Sequence, residues 1–262
     1  MTPHPAYGEL RPVTPLASVL LAENPSPMTL EGTNSWVLRA PGSEACVVVD
    51  PGEQDEAHLV RVAGCGPVEL ILLTHRHHDH AGGARRFADL TGAPVRALDP
   101  SLVLGSEALA GGDVVAAAGV ELRVLSTPGH TSDSLCFLLD GPAPEPAVLT
   151  GDTILGRGTT VIDHPDGTLG AYLGSLRRLA ELAPGTAVLP GHGPELPDAP
   201  AAAAQYLEHR EQRLDQVRAA LGELGPDATA RQVVELVYVD VDRSLWPAAE
   251  WSVRAQLDYL RS

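Results

Sequence analysis

The clearest pattern in the sequence is a short apolar run that stops abruptly at a cluster of polar residues. Residues 69–73 (ELILL) are almost all apolar, and residues 74–80 (THRHHDH) follow them directly. A continuous apolar run of this length is typical of a buried strand, and imidazole and carboxylate groups are common metal ligands. The pattern therefore predicts a buried strand that delivers metal ligands at its C-terminal end.

The spacing within this cluster indicates which side chains can act together. His75 and His77 are two residues apart, so an extended or loosely turned backbone can point both imidazoles to one side, where they can bind one metal ion. Asp79 and His80 then belong to the opposite wall of the site. A solvated histidine-rich turn, the main alternative, would not require the apolar strand in front of it.

Two metal ions need more ligands than one loop can supply, so further ligand-type residues are expected elsewhere in the chain. The same arrangement recurs three times later in the sequence. Each time a short apolar strand is followed by a Gly-containing turn and one ligand-type side chain: His130 after residues 122–125, Asp152 after residues 147–150, and His192 after residues 187–190. Together with the first cluster, these turns bring ligand-type residues to four strand ends. The sequence therefore predicts a dinuclear metal site.

The rest of the hydrophobic pattern predicts an α/β protein. Strands are predicted at residues 17–21, 35–38, 45–49, 69–73, 94–97, 122–125, 135–139, 148–150 and 187–190. Helices are predicted at residues 53–62 and 168–183, and residues 24–34, which Pro and Gly interrupt, are predicted to form a loop.

A break at residues 194–200 separates this part of the chain from a segment of different character. The later segment is rich in Ala and carries alternating charges, which favour solvent-exposed helices. Three helices are predicted there, at residues 201–221, 230–238 and 248–261. We therefore predict a catalytic domain at residues 1–198 and a small helical domain at residues 199–262.

Charge and composition restrict the class of partner. The chain of 262 residues has a formal net charge of −16, and Arg supplies every basic side chain because Lys is absent. An acidic surface repels phosphate backbones and weakens nonspecific binding to nucleic acid. A local group of arginines beside metal cations can still attract an anionic substrate.

Cysteine usage and the N-terminus predict a cytoplasmic protein. Cys46, Cys65 and Cys136 are odd in number and lie at no metal-ligand spacing, which argues against a disulfide framework. Residues 1–13 lack a basic start followed by an apolar run, so no secretory signal is expected. No stretch is long and apolar enough to span a membrane, and no membrane partner is expected.

The four ligand-bearing turns, in this order along the chain, resemble the metal signature of the metallo-β-lactamase superfamily. The resemblance is closest to the β-lactamase-like protein 2 group, whose animal mitochondrial member is a single-stranded-RNA endoribonuclease. Four stretches carry it: residues 24–34 (NPSPMTLEGTN), 127–131 (TPGHT), 151–160 (GDTILGRGTT) and 189–194 (LPGHGP). It implies a four-layer αβ/βα sandwich followed by a small helical segment that is similar to a truncated winged helix.

The resemblance also implies which residues hold two zinc ions. His75, His77 and His130 are expected to bind the first ion, and Asp79, His80 and His192 are expected to bind the second. Asp152 is expected to bridge the two ions, and Asp79 and Asp152 are the expected catalytic residues. Five histidines are left for solvated or packing roles: His4, His58, His78, His164 and His209.

Three further residues are candidates for supporting the site. Asp50 resembles the structural aspartate of the family, which braces the segment of His75. Asn34 belongs to a Gly-Thr-Asn sequence that lies close to the metals in the superfamily. Arg157 follows Asp152 closely, so we expect it to meet an anionic group of the substrate.

The expected chemistry is hydrolysis by a hydroxide that two zinc ions generate near neutral pH. The favoured reading is a phosphodiesterase or endoribonuclease that acts on single-stranded RNA. The alternative is a glyoxalase II-like hydrolase of a small thioester or ester, which an acidic surface suits better. A secreted β-lactamase should carry an export signal, and a metal-stabilised binding module would not need an open dinuclear centre. The sequence leaves the oligomeric state open.

Overall fold

Two β-sheets lie face to face at the centre of the molecule. The computed structural model describes residues 6–139 and 146–261, and within them it contains eleven strands. The first sheet consists of β1 (Arg11–Pro12), β2 (Ala17–Leu21), β3 (Asn34–Leu38), β4 (Cys46–Val49), β5 (Val68–Leu72) and β6 (Val95–Arg96). The second consists of β7 (Val114–Ala117), β8 (Val120–Ser126), β9 (Leu135–Leu139), β10 (Ala147–Gly151) and β11 (Ala187–Pro190).

Strand direction explains why the ligand-bearing turns meet. The first sheet has the order β1-β2-β3-β4-β5-β6, and β4, β5 and β6 are parallel. The second has the order β11-β10-β9-β8-β7, in which β10 and β11 are parallel and β9 is antiparallel to both β8 and β10. The strands β8, β10 and β11 therefore run in the same direction, and their C-terminal ends lie at one edge of the sheet.

Helices cover the outer faces of both sheets. They are α1 (Glu56–Ala63), α2 (His78–Ala81), α3 (Ala84–Thr91), α4 (Leu169–Ala180), α5 (Ala199–Leu224), α6 (Ala230–Val237) and α7 (Trp246–Arg261), with 3₁₀ turns at Pro100–Leu102 and Arg243–Leu245. Helices α1 and α3 pack on the first sheet, and α4 and α5 pack on the second. This helix–sheet–sheet–helix order confirms the predicted four-layer sandwich. None of the described helices is both long and apolar enough to cross a membrane.

Strand β4 is apolar throughout because both of its faces are buried. In β4, Val47 and Val49 point into the core between the sheets, whereas Cys46 and Val48 pack under the helices. Trp36 on β3 also faces the core between the sheets. Its indole nitrogen donates a hydrogen bond to the carbonyl of Pro190, 3.0 Å away, and so joins β3 to the end of β11.

Several element boundaries differ from the predicted ones for local reasons. Helix α1 begins at Glu56 and not at residue 53, because the Asp55 side chain caps it by accepting from two backbone amides. Helix α5 begins two residues earlier than predicted, because Asp198 caps it and the first turn tolerates Pro200. The prediction of a helix at 168–183 was three residues too long at its end.

Helix α5 contributes to two apolar cores. Its first half, including Ala203 and Tyr206, packs with α4 against the outer face of the second sheet. Its second half, including Val217, packs with α6 and α7 in a separate small cluster around Val233 and Trp246. One helix therefore joins the sandwich to the C-terminal segment, and the predicted division at residues 198 and 199 remains a prediction.

Candidate metal centre

Seven side chains converge at the edge where the ligand-bearing strands end. They are the seven that the sequence singled out: His75, His77, Asp79, His80, His130, Asp152 and His192. Three overlapping groups can each surround an ion, and within each group the ligand atoms lie within 4.8 Å of one another. The roles of these residues as ligands remain a prediction, but their proximity is a property of the fold.

The first group consists of His75, His77 and His130. The Nδ1 atom of His77 lies 3.1 Å from Nε2 of His75 and 3.0 Å from Nε2 of His130. In a tetrahedral zinc site with bonds of 2.0–2.1 Å, ligand nitrogens are separated by about 3.3 Å. The three nitrogens are therefore spaced like the ligands of one ion.

Hydrogen bonds on the far side of each imidazole leave lone pairs facing this point. His77 Nε2 donates to Asp163, 3.1 Å away, and His130 Nδ1 donates to the carbonyl of Val161, 2.6 Å away. His75 Nδ1 lies 3.0 Å from the Thr74 hydroxyl, which itself donates to a carboxylate. Three lone pairs that face one another repel unless a cation lies between them, so the donor set fits a metal ion.

The second group consists of Asp79, His80 and His192. The Nε2 atoms of His80 and His192 are 3.2 Å apart. Asp79 Oδ2 lies 3.1 Å from the His192 nitrogen and 3.3 Å from the His80 nitrogen. The Thr33 hydroxyl lies 3.4 Å from the same carboxylate oxygen, so the loop that precedes β3 reaches the site as expected.

Asp152 lies between the two groups with one carboxylate oxygen toward each. Its Oδ1 atom is 3.4 Å from the Nε2 atoms of both His80 and His192, and its Oδ2 atom is 3.6 Å from Nε2 of His130. The Oδ1 atom is buried and has no hydrogen-bond partner among the described residues. A buried carboxylate oxygen without a partner is costly, and a metal ion would compensate it.

Asp50 orients ligands of both groups from the end of β4. Its carboxylate accepts from the Thr74 amide at 2.8 Å, from the Thr74 hydroxyl at 2.6 Å and from His80 Nδ1 at 2.8 Å. Because Thr74 in turn contacts His75, one buried carboxylate fixes an imidazole on each side of the centre. This arrangement agrees with the bracing role expected for Asp50.

Asn34 fixes the turn that carries His192. Its side-chain amide donates to the carbonyls of Pro190 at 3.0 Å and Gly193 at 2.9 Å, on either side of the histidine. His192 Nδ1 also donates to the carbonyl of Gly32, 3.1 Å away. Asn34 therefore contacts the backbone on both sides of His192, and its role in supporting the site remains a prediction.

Asp163 is a supporting residue that the sequence did not reveal. It binds His77 through its side chain, and its amide donates to the carbonyl of His130 at 3.0 Å. The contact with His77 joins residues that are 86 positions apart. Nothing in the local sequence distinguishes this carboxylate from the other acidic side chains, so only the fold identifies it.

The two groups of histidines have opposite electrostatic environments. Burial lowers the pKa of His75 well below its usual value, and the neighbouring imidazoles of His80 and His130 lower it further. Burial would also lower the pKa of His192, but the carboxylates of Asp152 and Asp79 outweigh it and raise the pKa to about 9. Burial therefore favours the neutral forms of His75 and His130, as metal ligation requires, whereas the neighbouring carboxylates favour the protonated forms of His80 and His192.

The carboxylates of Asp152 and Asp79 are held ionised. Burial would raise the pKa of Asp152, but the neighbouring imidazoles of His192 and His80 hold it well below the usual range. Burial would likewise raise the pKa of Asp79, but the neighbouring imidazoles, mainly His80, lower it. Negative charge is therefore fixed in the place where divalent cations would bind.

Arg157 does not face the metal centre with a free guanidinium. It pairs with the carboxylate of Glu31, across the loop that precedes β3. The Arg76 guanidinium, between His75 and His77 in the chain, likewise pairs with Asp166 at 2.8 Å. A substrate anion would therefore have to compete with the Glu31 carboxylate for Arg157.

The remaining histidines have structural surroundings. His58 is buried against the Ser35 hydroxyl at 2.9 Å, and His164 binds Asp258 at 2.7 Å. His78 opens helix α2 and His209 lies on α5, and neither joins a ligand group among the described residues. His4 lies outside the described residues.

Comparison with known proteins assigns the family. Residues 28–192 match the model of the metallo-β-lactamase superfamily, and residues 229–262 match that of the β-lactamase associated winged helix domain. A β-lactamase-like protein 2 homolog from Drosophila melanogaster is 30% identical over 92% of this chain and 86% of its own length. An atrochrysone carboxyl ACP thioesterase from Aspergillus fumigatus is 31% identical over 89% and 77%, respectively.

A solved structure supports the same fold. The crystal structure of a β-lactamase domain protein from Burkholderia ambifaria superposes with a TM-score of 0.80. The superposition covers 99% of this chain and 90% of that one, at 24% sequence identity. The matched family model includes all four ligand-bearing turns. The chain therefore belongs to the metallo-β-lactamase superfamily and is a metal-dependent hydrolase.

Proposed function

We propose that the protein hydrolyses a small thioester or ester at a dinuclear zinc centre. The proposal rests on the ion pairs that the arginines beside the centre already form. Arg76 pairs with Asp166, and Arg157 pairs with Glu31, so both cations already have carboxylate partners. An uncharged acyl substrate needs no cation for binding, whereas a polyphosphate would have to displace these carboxylates.

The surroundings of the ligands also favour a good leaving group. Outside the seven ligands, the described side chains that form hydrogen bonds with their side chains are Asp50, Asp163, Thr33 and Thr74. None is an imidazole or a cation that could protonate a departing alkoxide. A thiolate, whose conjugate acid has a pKa near 8.5, leaves without prior protonation. The geometry is therefore suited best to a thioester.

The chain's own residues define how such a site would work. His75, His77 and His130 would hold one ion, Asp79, His80 and His192 the other, and Asp152 would bridge them. When bound, two zinc ions would activate a water molecule near neutral pH and polarise the acyl oxygen. Asp79 has the freer position, because its side chain is 24% exposed whereas His192 is 1% exposed. Its ionised carboxylate can therefore orient a water molecule at the open side of the site.

The donor set is compatible with zinc. Imidazole nitrogens and carboxylate oxygens are common zinc ligands, and a catalytic zinc site keeps one position open for water or substrate. The first group supplies three nitrogens and one oxygen of Asp152. The similarity to the thioesterase from Aspergillus fumigatus supports the choice of a thioester bond, and the small size of the proposed substrate is our own inference.

Cleavage of single-stranded RNA is the second candidate, and Arg157 favours it. This side chain is 51% exposed, and exposed ion pairs contribute little to stability. A phosphate could therefore replace Glu31 as its partner. The similarity to the β-lactamase-like protein 2 homolog over most of both chains is compatible with this reading. Unpaired RNA, whose backbone is flexible, would reach a recessed centre more easily than a duplex.

Zinc-loaded protein tested against a substrate panel separates the two candidates. The panel contains N-acetylcysteamine thioesters, p-nitrophenyl esters, single-stranded RNA and a β-lactam. We expect rapid thioester or ester turnover that Asp152→Ala abolishes, together with loss of metal from both positions. Asp215→Asn, which changes an exposed carboxylate on α5, is the matched control and should retain activity and both ions.

The opposite result would select the other candidate. If the zinc-loaded protein leaves thioesters and esters intact but cleaves RNA, the proposal is wrong. In that case Arg157→Ala should weaken cleavage without changing the metal content. RNA cleavage should also decrease as salt increases, because each neutralised phosphate makes binding depend on salt.

A further inference from the structure

A cavity lies between the start of helix α4 and the last helix, α7. Its volume is about 350 Å³, within the usual range for sites that bind small molecules. Residues from both elements line it, among them His164, Leu169, Gly170, Ala255, Asp258 and Tyr259. We call it the α4–α7 cavity.

The segment that lines this cavity begins next to a residue that contacts the metal centre. Asp163, next to His164 in the chain, binds the imidazole of His77 at 3.1 Å. Gly167 packs against the backbone of His130 so closely that a Cβ atom there would lie 2.2 Å from the carbonyl oxygen. One short segment therefore faces the metal ligands on one side and the cavity on the other. Because Asp163 and His164 are consecutive, the Cα atoms of the residue that contacts His77 and of the first residue that lines the cavity are about 3.8 Å apart.

The lining is chiefly apolar and aromatic. Leu169 and Ala255 are buried, and the Tyr259 ring lies over Gly170, where an added Cβ would meet ring atoms at 3.6 Å. The polar side chains of His164 and Asp258 bind each other at 2.7 Å. A cavity of this kind suits an uncharged hydrocarbon or aromatic group, because a phosphate or carboxylate would lose water without gaining a free cation.

We propose that the α4–α7 cavity binds the apolar acyl or aryl part of the substrate. This inference rests on the proposed hydrolysis of a thioester or ester. The scissile carbonyl would lie at the metal centre and its apolar substituent would extend along the segment that follows Asp163. Helix α7, from the C-terminal segment, would then determine which acyl groups are accepted.

Two glycines on one helix provide a matched pair of variants. Gly170→Leu places a side chain in the cavity, whereas Gly174→Leu adds the same side chain one turn later, where no atom lies within 4 Å of an added Cβ. The test uses acetyl and octanoyl thioesters of N-acetylcysteamine and the zinc-loaded enzyme. We expect Gly170→Leu to raise KM for the octanoyl thioester at least about tenfold and to leave the acetyl thioester within about twofold. Gly174→Leu should change neither.

A second variant keeps the proposal testable if Gly170→Leu does not fold. Tyr259→Ala removes one wall of the cavity from a residue that is 40% exposed. It should also raise KM for the octanoyl thioester selectively, with both metal ions retained. Equal effects on both thioesters, or no effect on either in a folded variant, would overturn the proposal.

Direct binding separates failure of this inference from failure of the proposed function. The octyl thioether analogue, which cannot be hydrolysed, is titrated calorimetrically into zinc-loaded wild type and Gly170→Leu protein. Binding to wild type alone, without turnover of any thioester, would support the cavity and refute the hydrolase proposal. Turnover of octanoyl thioester that Gly170→Leu leaves unchanged would support the hydrolase and refute the cavity.

Discussion

Asp163 shows how one side chain outside the ligand set can control a metal site. It accepts from His77 Nε2 and thereby directs the Nδ1 lone pair toward the first group. We predict that Asp163→Ala weakens zinc binding at the first position by about 10- to 100-fold, because partners of this kind fix the ring and its tautomer. Competition with a chromogenic chelator measures the affinity.

Asp166, three residues later, provides the control. Its carboxylate accepts from the Ser132 amide and hydroxyl, both at 2.7 Å, and pairs with Arg76. It touches none of the predicted ligands. Asp166→Ala should therefore retain both ions at wild-type affinity, and an equal loss in the two variants would contradict the role given to Asp163.

His58 predicts how stability depends on pH. Burial lowers its pKa to about 4 from an ordinary value of 6.5. In this range the unfolded chain binds more protons than the folded one, so the stability that His58 provides is complete above pH 6.5 and decreases as the pH falls toward 4. At pH 5 the loss is about 2 kcal/mol.

The corresponding measurement compares metal-free wild type with His58→Leu in urea. Between pH 7.5 and pH 5, the free energy of unfolding of wild type should fall by about 2 kcal/mol more than that of the variant. Other titrating groups contribute equally to both proteins and cancel in this difference. Parallel pH curves would show that His58 is not the cause.

At the residue scale, the sequence revealed the ligand-type side chains that follow strands. It did not reveal contacts between side chains that are far apart in the chain. His75, His130 and His192 could be predicted because each follows an apolar run, and this pattern is local in the sequence. The contact of Asp163 with His77 depends on how the chain returns 86 residues later. The salt bridge of Arg157 depends in the same way on the path of the loop before β3.

Among the elements, the loop between β10 and α4 depends on helix α5. Arg210 is buried, and its guanidinium donates to the carbonyl of Thr160 and lies over the Tyr172 ring, with 5.1 Å between the guanidinium carbon and the ring centre. The Thr160 hydroxyl in turn donates to the backbone carbonyl of Asp152, 2.5 Å away. A cation on α5 is thus connected through two hydrogen bonds to the residue between the metal groups.

We predict that Arg210→Met loosens this loop. The Thr160 carbonyl would lose its donor, which costs about 1–3 kcal/mol for a buried group, and both metal positions should lose affinity because Asp152 faces both. Arg213→Met on the same helix removes a contact with the Tyr238 ring and should leave metal binding unchanged. Elemental analysis and urea unfolding of the two variants measure these effects. Wild-type metal affinity in a destabilised Arg210→Met protein would show that the loop is held independently.

The elements themselves were predictable where a cap or a long apolar run marks them. Strands β2, β9 and β11 have the predicted bounds, whereas β1 and β7 were not predicted. Strand β7 (VVAA) is short and pairs with β8 across a two-residue turn. Its identity as a strand comes from that pairing rather than from its own pattern. Helix α5 begins earlier than predicted because Asp198 caps it. This residue is visible in the sequence, but the prediction assigned it to the break at residues 194–200.

At the scale of the whole molecule, the C-terminal segment packs against the sandwich through helix α5. The amide of Leu155 donates to the Tyr206 hydroxyl of α5 at 3.0 Å, and Ala203 on the same helix is fully buried. We predict that truncation after Asp198 exposes this apolar surface, lowers solubility and reduces metal content. Size-exclusion chromatography and elemental analysis of the truncated protein measure the outcome. A soluble monomer with two ions and full activity would show the segment to be dispensable.

The layered architecture was predicted through the family resemblance rather than from periodicity. Two strands that are apolar on both faces, such as β4 and β5, indicate burial but not which sheet they join. The order of strands and the packing of two sheets require contacts between distant segments, which one sequence does not display. The ligand turns identified the family, and the family supplied the topology.

The pairing of His80 with His192 spans 112 residues and has a consequence for how the protein matures. During synthesis, a chain that has not yet extended past β11 carries the first histidine cluster but cannot close the second group around an ion. Asn34 then locks the late-arriving turn to an early strand. Binding of an ion by the second group would therefore require the sandwich to have folded as far as β11, and a shorter nascent chain would hold an ion weakly enough to exchange it with its surroundings.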